Sequence, residues 1–141
     1  MPKAESIVLD TGPLVALLDE ADEHHEWAAA EFPRFGGAVR VCEAVLTEAL
    51  FLLRTLRPAQ EKILEWVERG ELTCDFVLPE EARAVRALWS RYANVPMSLA
   101  DACVVRMAEM HPRSVICTID SDFSIYRKDV RHPLNLLTPR R

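Results

Sequence analysis

The chain has 141 residues and a net charge of −5, and half of its residues are hydrophobic. This composition excludes a disordered chain, and the length fits one domain, residues 1–141, with its own hydrophobic core. We expect a cytoplasmic protein with no membrane contact, because no apolar run is long enough to span a bilayer and the first residues lack a signal-peptide pattern. The four cysteines form no CxxC pair, which favours buried, reduced thiols.

Short apolar strands alternate with helices along the sequence. The first strand ends at Leu9, and either Thr11 or Gly12 is expected to cap a helix that runs through Leu18. The later strands are predicted at 38–41, 72–78, 115–119 and, at a sheet edge, 134–137. The later helices are predicted at 24–32, 43–56, 58–70, 79–92 and 98–110, with a short helical turn at 121–126. This alternation predicts an α/β fold, and specifically an α/β/α sandwich with a mainly parallel central sheet.

Two aspartates follow predicted strands directly. Asp10 comes after Ile7-Val8-Leu9, and Asp120 comes after the strand at 115–119. Ligands of α/β proteins bind at the carboxyl ends of parallel strands, so these two carboxylates are expected to meet. Because crowded carboxylates repel each other unless a cation neutralises them, a hard divalent metal is the first hypothesis. Each of the two residues also has a structural explanation, since Asp10 suits an Asx turn and Asp120 suits a helix cap. Asp122 offers a second carboxylate beside Asp120.

Two further acids lie on predicted helices. Glu48 lies in a segment, 45–53, that is apolar nearly all round and therefore expected to be buried. A buried carboxylate there must be paired, protonated or bound to a metal. Asp101 completes the pattern Ser98-x-x-Asp101, which is typical of a capping box and explains that acid by itself. As a set, the acids offer oxygens for one or two Mg²⁺ or Mn²⁺ ions, and such a site favours phosphodiester hydrolysis.

Charge is unevenly distributed along the chain. Residues 1–100 carry 10 basic and 17 acidic side chains, a balance of −7, whereas residues 101–141 carry 7 and 5, a balance of +2. The C-terminal part, including Arg140 and Arg141, is a candidate surface for phosphates, although a solvated terminus explains the same pattern.

In the segments that carry these acids the chain resembles the PIN-domain family, especially the VapC-like toxin ribonucleases of bacterial toxin–antitoxin pairs. The matching segments occur in the family's order, at 9–19, 47–49, 98–102 and 118–123. The resemblance implies an endoribonuclease that uses a metal-activated water. Asp10, Glu48, Asp101 and Asp120 would form its acidic quartet for Mg²⁺ or Mn²⁺, and Asp122 would share the role of Asp120 or replace it.

The resemblance also implies supporting residues and partners. Thr118 and Thr11 would orient water or a carboxylate. An RNA substrate, a cognate antitoxin protein and a homodimer are the expected partners.

Other functions and residues stay open from the sequence. The main alternative is a catalytically silent PIN-like module that binds RNA or protein, and a third possibility is hydrolysis of DNA or a small phosphate ester. His24 and His25 are candidates for a catalytic base, but a surface role explains them more simply. Arg54 and Arg57 suit either a phosphate contact, an acidic partner segment or a solvated helix end.

Overall fold

A computed structural model describes residues 6–139 of the chain. Arg140 and Arg141, which belong to the expected basic surface, lie outside the described residues. The strands are β1 (Ser6–Leu9), β2 (Ala38–Arg40), β3 (Leu72–Thr73), β4 (Val115–Cys117), β5 (Arg127–Lys128), β6 (His132–Pro133) and β7 (Leu136–Leu137). The helices are α1 (Thr11–Leu18), α2 (His25–Glu31), α3 (Glu43–Leu52), α4 (Arg57–Arg69), α5 (Leu78–Arg91) and α6 (Leu99–Met110). Two 3-10 turns cover Phe32–Arg34 and Ser121–Ser124.

The main sheet is parallel, as predicted, with the strand order β3-β2-β1-β4-β7. Each residue of β1 is buried. A central parallel strand is covered by helices on both faces, which explains why its sequence is a continuous apolar run rather than an alternating one. The carboxyl ends of β1 and β4 are neighbours, because Leu9 pairs with Cys117. Asp10 and Thr118 therefore leave the sheet side by side.

Helices pack around this sheet and bury a shared core. The helix α6 contributes the most buried residues, among them Ala102, Cys103, Val104 and Val105. Phe123 lies in the 3-10 turn at Ser121–Ser124, and Tyr126 follows that turn. Both aromatic side chains are fully buried. His25 supports this packing, since its Nδ1 lies 2.7 Å from the carbonyl oxygen of Ala16 and so ties α2 to α1.

Among the described residues, no helix has the length and hydropathy that a membrane span requires.

Several predicted boundaries were wrong. The helix α1 is capped at Asp10 rather than at Thr11 or Gly12, because the chain turns helical directly after the aspartate. The helix predicted at 43–56 ends at Leu52, where the side-chain amide of Gln60 donates to the carbonyl of Leu50 and stabilises the last turn.

The strand predicted at 72–78 is also much shorter, because β3 pairs with β2 over only two residues. The helix α5 begins at Leu78, with Pro79 in its first turn, where the missing amide hydrogen of proline is not needed. The small antiparallel pair of β5 and β6 was not predicted, because two-residue strands leave no periodic pattern to detect.

Candidate metal centre

Three carboxylates converge at the carboxyl edge of the sheet. Asp101, Asp120 and Asp122 each place an oxygen within 4.8 Å of the others. Asp101 lies in the first turn of α6, whereas Asp120 and Asp122 begin the 3-10 turn that follows β4. The predicted convergence of strand-end and helix-start acids is therefore present for these residues.

The local hydrogen bonds hold these carboxylates in place without using up all of their oxygens. Ser98 caps α6 by accepting from the amide of Asp101 at 3.0 Å, so the predicted cap is present. Asp120 caps the 3-10 turn, because its Oδ1 accepts from the amide of Asp122 at 2.9 Å. The structural role that the sequence suggested for each acid is thus compatible with a place in the cluster.

Asp10 lies next to this cluster and is only 6% exposed. Burial and, to a smaller extent, the negative charges of Asp101 and Asp120 raise the pKa of its carboxyl to about 6. Hydrogen bonds from the Thr118 hydroxyl and the Thr11 backbone oppose this rise. The electrostatic coupling shows that Asp10, Asp101 and Asp120 share one acidic environment.

Thr118 joins the two strand ends. Its side chain is fully buried; its hydroxyl donates to Oδ2 of Asp10 at 2.7 Å and accepts from the amide of Asp120 at 3.0 Å. A single hydroxyl thus fixes the first aspartate relative to the loop that carries the other two. Gly12 is close to the same loop, since a Cβ on it would lie 3.3 Å from Cδ1 of Ile119.

Tyr126 is a site residue that the sequence did not reveal. Its buried hydroxyl donates to Oδ2 of Asp101 at 2.8 Å. Burial and this acceptor raise the pKa of Tyr126 well above its usual value, so the phenol stays protonated as a donor. Burial likewise raises the pKa of Asp101, although the hydrogen bond from Tyr126 acts in the opposite direction. The sequence signal nearest to this tyrosine was the helical turn predicted at 121–126, beside Asp120.

The predicted burial of Glu48 was wrong. The residue is exposed, because α3 packs with Val45, Leu46 and Ala49 inward and turns the opposite side to solvent. The helix looked apolar all round because that outer side carries Phe51 and Leu52, which are 62% and 55% exposed.

Glu48 lies beside the acidic cluster rather than within the three-carboxylate group. Its Oε2 accepts a hydrogen bond of 3.0 Å from the hydroxyl of Thr11. Thr11 directly follows Asp10, so this contact brings Glu48 to the start of α1 at the same edge of the sheet.

The donor set suits a hard divalent cation. Carboxylate oxygens are the ligands that Mg²⁺ and Mn²⁺ prefer. The pKa values of Asp10 and Asp101 are raised by burial and by neighbouring acids, and only hydrogen bonds oppose the rise. A cation at this position would supply the positive charge that these carboxylates lack.

Comparisons with solved structures agree with the fold. The chain resembles the Mycobacterium tuberculosis toxin VapC20, described as cleaving the sarcin–ricin loop, with a TM-score of 0.76 and 19% identity over 84% of this chain and 93% of that one. It also resembles VapBC2 from Rickettsia felis bound to a DNA fragment from their promoter, with a TM-score of 0.65 and 12% identity over 96% of this chain and 99% of that one. No curated protein matches the sequence significantly. At these identities the likeness shows the fold.

The family is shown by the sequence itself. A family model described as the PIN domain matches residues 7–129, a span that includes all five acids, from Asp10 to Asp122. The chain therefore belongs to the PIN-domain family.

Proposed function

We propose that this protein is a metal-dependent endoribonuclease that hydrolyses RNA phosphodiester bonds, and that it is the toxin of a toxin–antitoxin pair. The observation that carries the proposal is the convergence of Asp101, Asp120 and Asp122 within 4.8 Å beside the buried Asp10. Membership of the PIN-domain family supports a nuclease. The likeness to a toxin that cleaves the sarcin–ricin loop supports RNA as the substrate.

The acids would hold Mg²⁺ or Mn²⁺. Asp101, Asp120 and Asp122 would form the central donor set. Asp10, which directly follows β1, and Glu48 on α3 would complete it. When bound, the cation would make a water molecule more acidic and offset the charge that grows on a phosphoryl oxygen. Asp122 belongs to the donor set together with Asp120, which supports a shared role rather than a replacement.

The other side chains position this donor set. Thr118 holds Asp10 and the loop at Asp120, Tyr126 holds Asp101, and Thr11 holds Glu48. Without a cation the pKa of Asp10 is about 6, so binding of the cation would favour its ionised form.

A protein partner is part of the proposal. Phe51, Leu52 and Leu56 are apolar and exposed, and the guanidinium of Arg54 lies 4.3 Å from the ring centroid of Phe51. Contiguous exposed apolar side chains are typical of protein interfaces. We propose an antitoxin and a second copy of the chain as the partners, and the cytoplasm as the place where they meet the RNA.

The substrate class is tested by incubating the purified protein with single-stranded RNA, single-stranded DNA and a chromogenic phosphodiester in parallel. We expect internal cleavage of the RNA in Mg²⁺ or Mn²⁺, and little cleavage of the single-stranded DNA or of the chromogenic phosphodiester. Preferential cleavage of DNA or of the small ester would contradict the proposed substrate. RNA binding without any metal-dependent cleavage would identify a silent binding module instead.

The toxin role needs a cellular test. Induced expression of the chain should arrest bacterial growth, and Asp10→Asn should relieve the arrest at equal protein level. Arrest by both forms, or by neither, would contradict a toxin that acts through this site.

A further inference from the structure

A second feature adjoins the acidic cluster. It is a cavity of about 540 Å³ at the same edge of the sheet, next to β4 and β7. Asp120 forms part of its wall, so the cavity opens from the cluster itself. Its volume is in the range of pockets that hold small organic groups.

The cavity combines apolar walls with hydroxyl groups. Ile119, Leu136 and Pro139 supply the apolar surface. Ser121 and Thr138 supply hydroxyls, and both residues are exposed to solvent. They are therefore available to donate to a ligand or to accept from it.

His24 adds a flat ring to the lining of the cavity. It comes from the loop before α2, whereas Thr138 follows β7, so two separate parts of the chain line the space. The Nε2 of His24 lies 3.4 Å from Oε1 of Glu23, and Asp120 adds a second negative charge. Among the described residues at the cavity the carboxylates of Asp120 and Glu23 would repel a phosphate, whereas an uncharged ring would meet stacking surface and hydrogen-bonding groups.

We propose that this cavity binds one unstacked nucleobase of a single-stranded RNA, next to the phosphate that lies at the acidic cluster. Proteins read single-stranded RNA by stacking splayed bases on flat side chains, histidine included, and by hydrogen bonds to the base edges. His24 supplies the ring, and Ser121 and Thr138 supply the hydrogen bonds. This site rests on the proposed function for its phosphate, and it adds a position that selects which RNA strands are cut.

The test uses the full-length chain with Asp101→Asn, so that the RNA stays intact in Mg²⁺. The probe is a single-stranded RNA of about ten nucleotides and a series of the same strand with one abasic nucleotide at successive positions. Fluorescence anisotropy gives the affinity for each strand. One abasic position should weaken binding about tenfold, because one stacked base contributes on that scale.

A variant that fills the cavity makes the test specific. Thr138→Trp should weaken binding of the intact strand about tenfold and remove the difference between the intact and the abasic strand. Thr55→Trp is the matched control, because Thr55 is exposed and lies outside the cavity. His24→Ala removes the ring from the lining of the cavity and should weaken binding severalfold, which keeps the test decisive if Thr138→Trp disturbs folding.

The outcomes separate this inference from the nuclease proposal. Equal affinity for every strand, with no effect of Thr138→Trp or His24→Ala, would overturn the base site even if the wild-type chain cleaves RNA. Loss of affinity at one abasic position and in both variants would support the base site even if the wild-type chain leaves RNA uncut.

Discussion

Thr118 and Asp10 lie 108 positions apart in the sequence and are joined by a hydrogen bond of 2.7 Å between the threonine Oγ1 and the aspartate Oδ2. The same hydroxyl accepts from the amide of Asp120. The contact thus fixes the end of β1 relative to the loop after β4, and it fixes the orientation of a buried carboxylate.

Removing this hydroxyl should damage the site. Thr118→Val leaves Oδ2 of Asp10 and the amide of Asp120 without their partner, so we expect a loss of about 2 kcal/mol in the free energy of unfolding. RNA cleavage should fall about 10- to 100-fold, as is typical when a group that orients a metal ligand is lost. Thr118→Ser, which keeps the hydroxyl, should restore most of the activity. A Thr118→Val enzyme as active as Thr118→Ser would exclude a positioning role.

Burial of Asp10 should make the metal-free protein less stable as the pH rises. Its pKa in the folded chain, about 6, is above the ordinary value of 3.8, so the folded state binds this proton more tightly than the unfolded state does. The resulting stabilisation is fully present below the ordinary pKa and is lost as the pH rises through the folded-state pKa, with a total of about 3 kcal/mol.

Asp10→Asn isolates this effect, because it removes the titrating carboxyl and keeps its shape. In EDTA the variant should be more stable than the wild type at neutral pH, and the difference should shrink toward mildly acidic pH. Urea unfolding of both proteins at several pH values measures it, with Asp129→Asn as an exposed control. A difference that does not change with pH would show that Asp10 is ionised at ordinary cost in the folded protein.

Tyr126 should affect metal affinity through Asp101. Tyr126→Phe keeps the buried ring and deletes the donor to Oδ2 of Asp101, so the carboxylate loses an anchor. We expect the affinity for Mn²⁺, measured by titration calorimetry, to fall about tenfold. Tyr92→Phe is the matched control, because its hydroxyl accepts from the amide of Arg127 and contacts none of the acids. Equal Mn²⁺ affinities in the two variants would contradict the role of Tyr126.

Whether a feature of this site could be predicted depends on how far apart in the sequence its residues lie. Asp10 and Asp120 were found because an apolar strand that ends in an acid is a local pattern, and parallel strands end at one edge. The hydroxyl of Tyr126 and the pairing of Thr118 with Asp10 depend on the packed fold, and no local pattern contains them. Glu48 was judged buried from the composition of its helix, which does not say which side of α3 the other helices cover.

Glu48 should act through its charge and contribute little to stability. It is exposed, and Glu48→Gln keeps an oxygen that accepts from Thr11, so the free energy of unfolding should change by less than about 0.5 kcal/mol. RNA cleavage should nevertheless fall at least about tenfold, on the scale seen when a group beside a metal is changed. Glu68→Gln on α4 provides an exposed control with the same chemical change. Full activity of Glu48→Gln would show that Glu48 has no role in cleavage and serves only as the hydrogen-bond partner of Thr11.

The most direct test of the central claim is the rate of single-stranded RNA cleavage as the Mn²⁺ concentration is raised, for the wild type, Asp101→Asn and Asp129→Asn. If Asp101, Asp120 and Asp122 hold the catalytic cation, the wild type and Asp129→Asn will show the same saturable dependence on Mn²⁺, and EDTA will abolish it. Asp101→Asn will need far more Mn²⁺ or stay inactive. Cleavage that persists in EDTA, or an Asp101→Asn curve that overlays the wild type, would contradict the account.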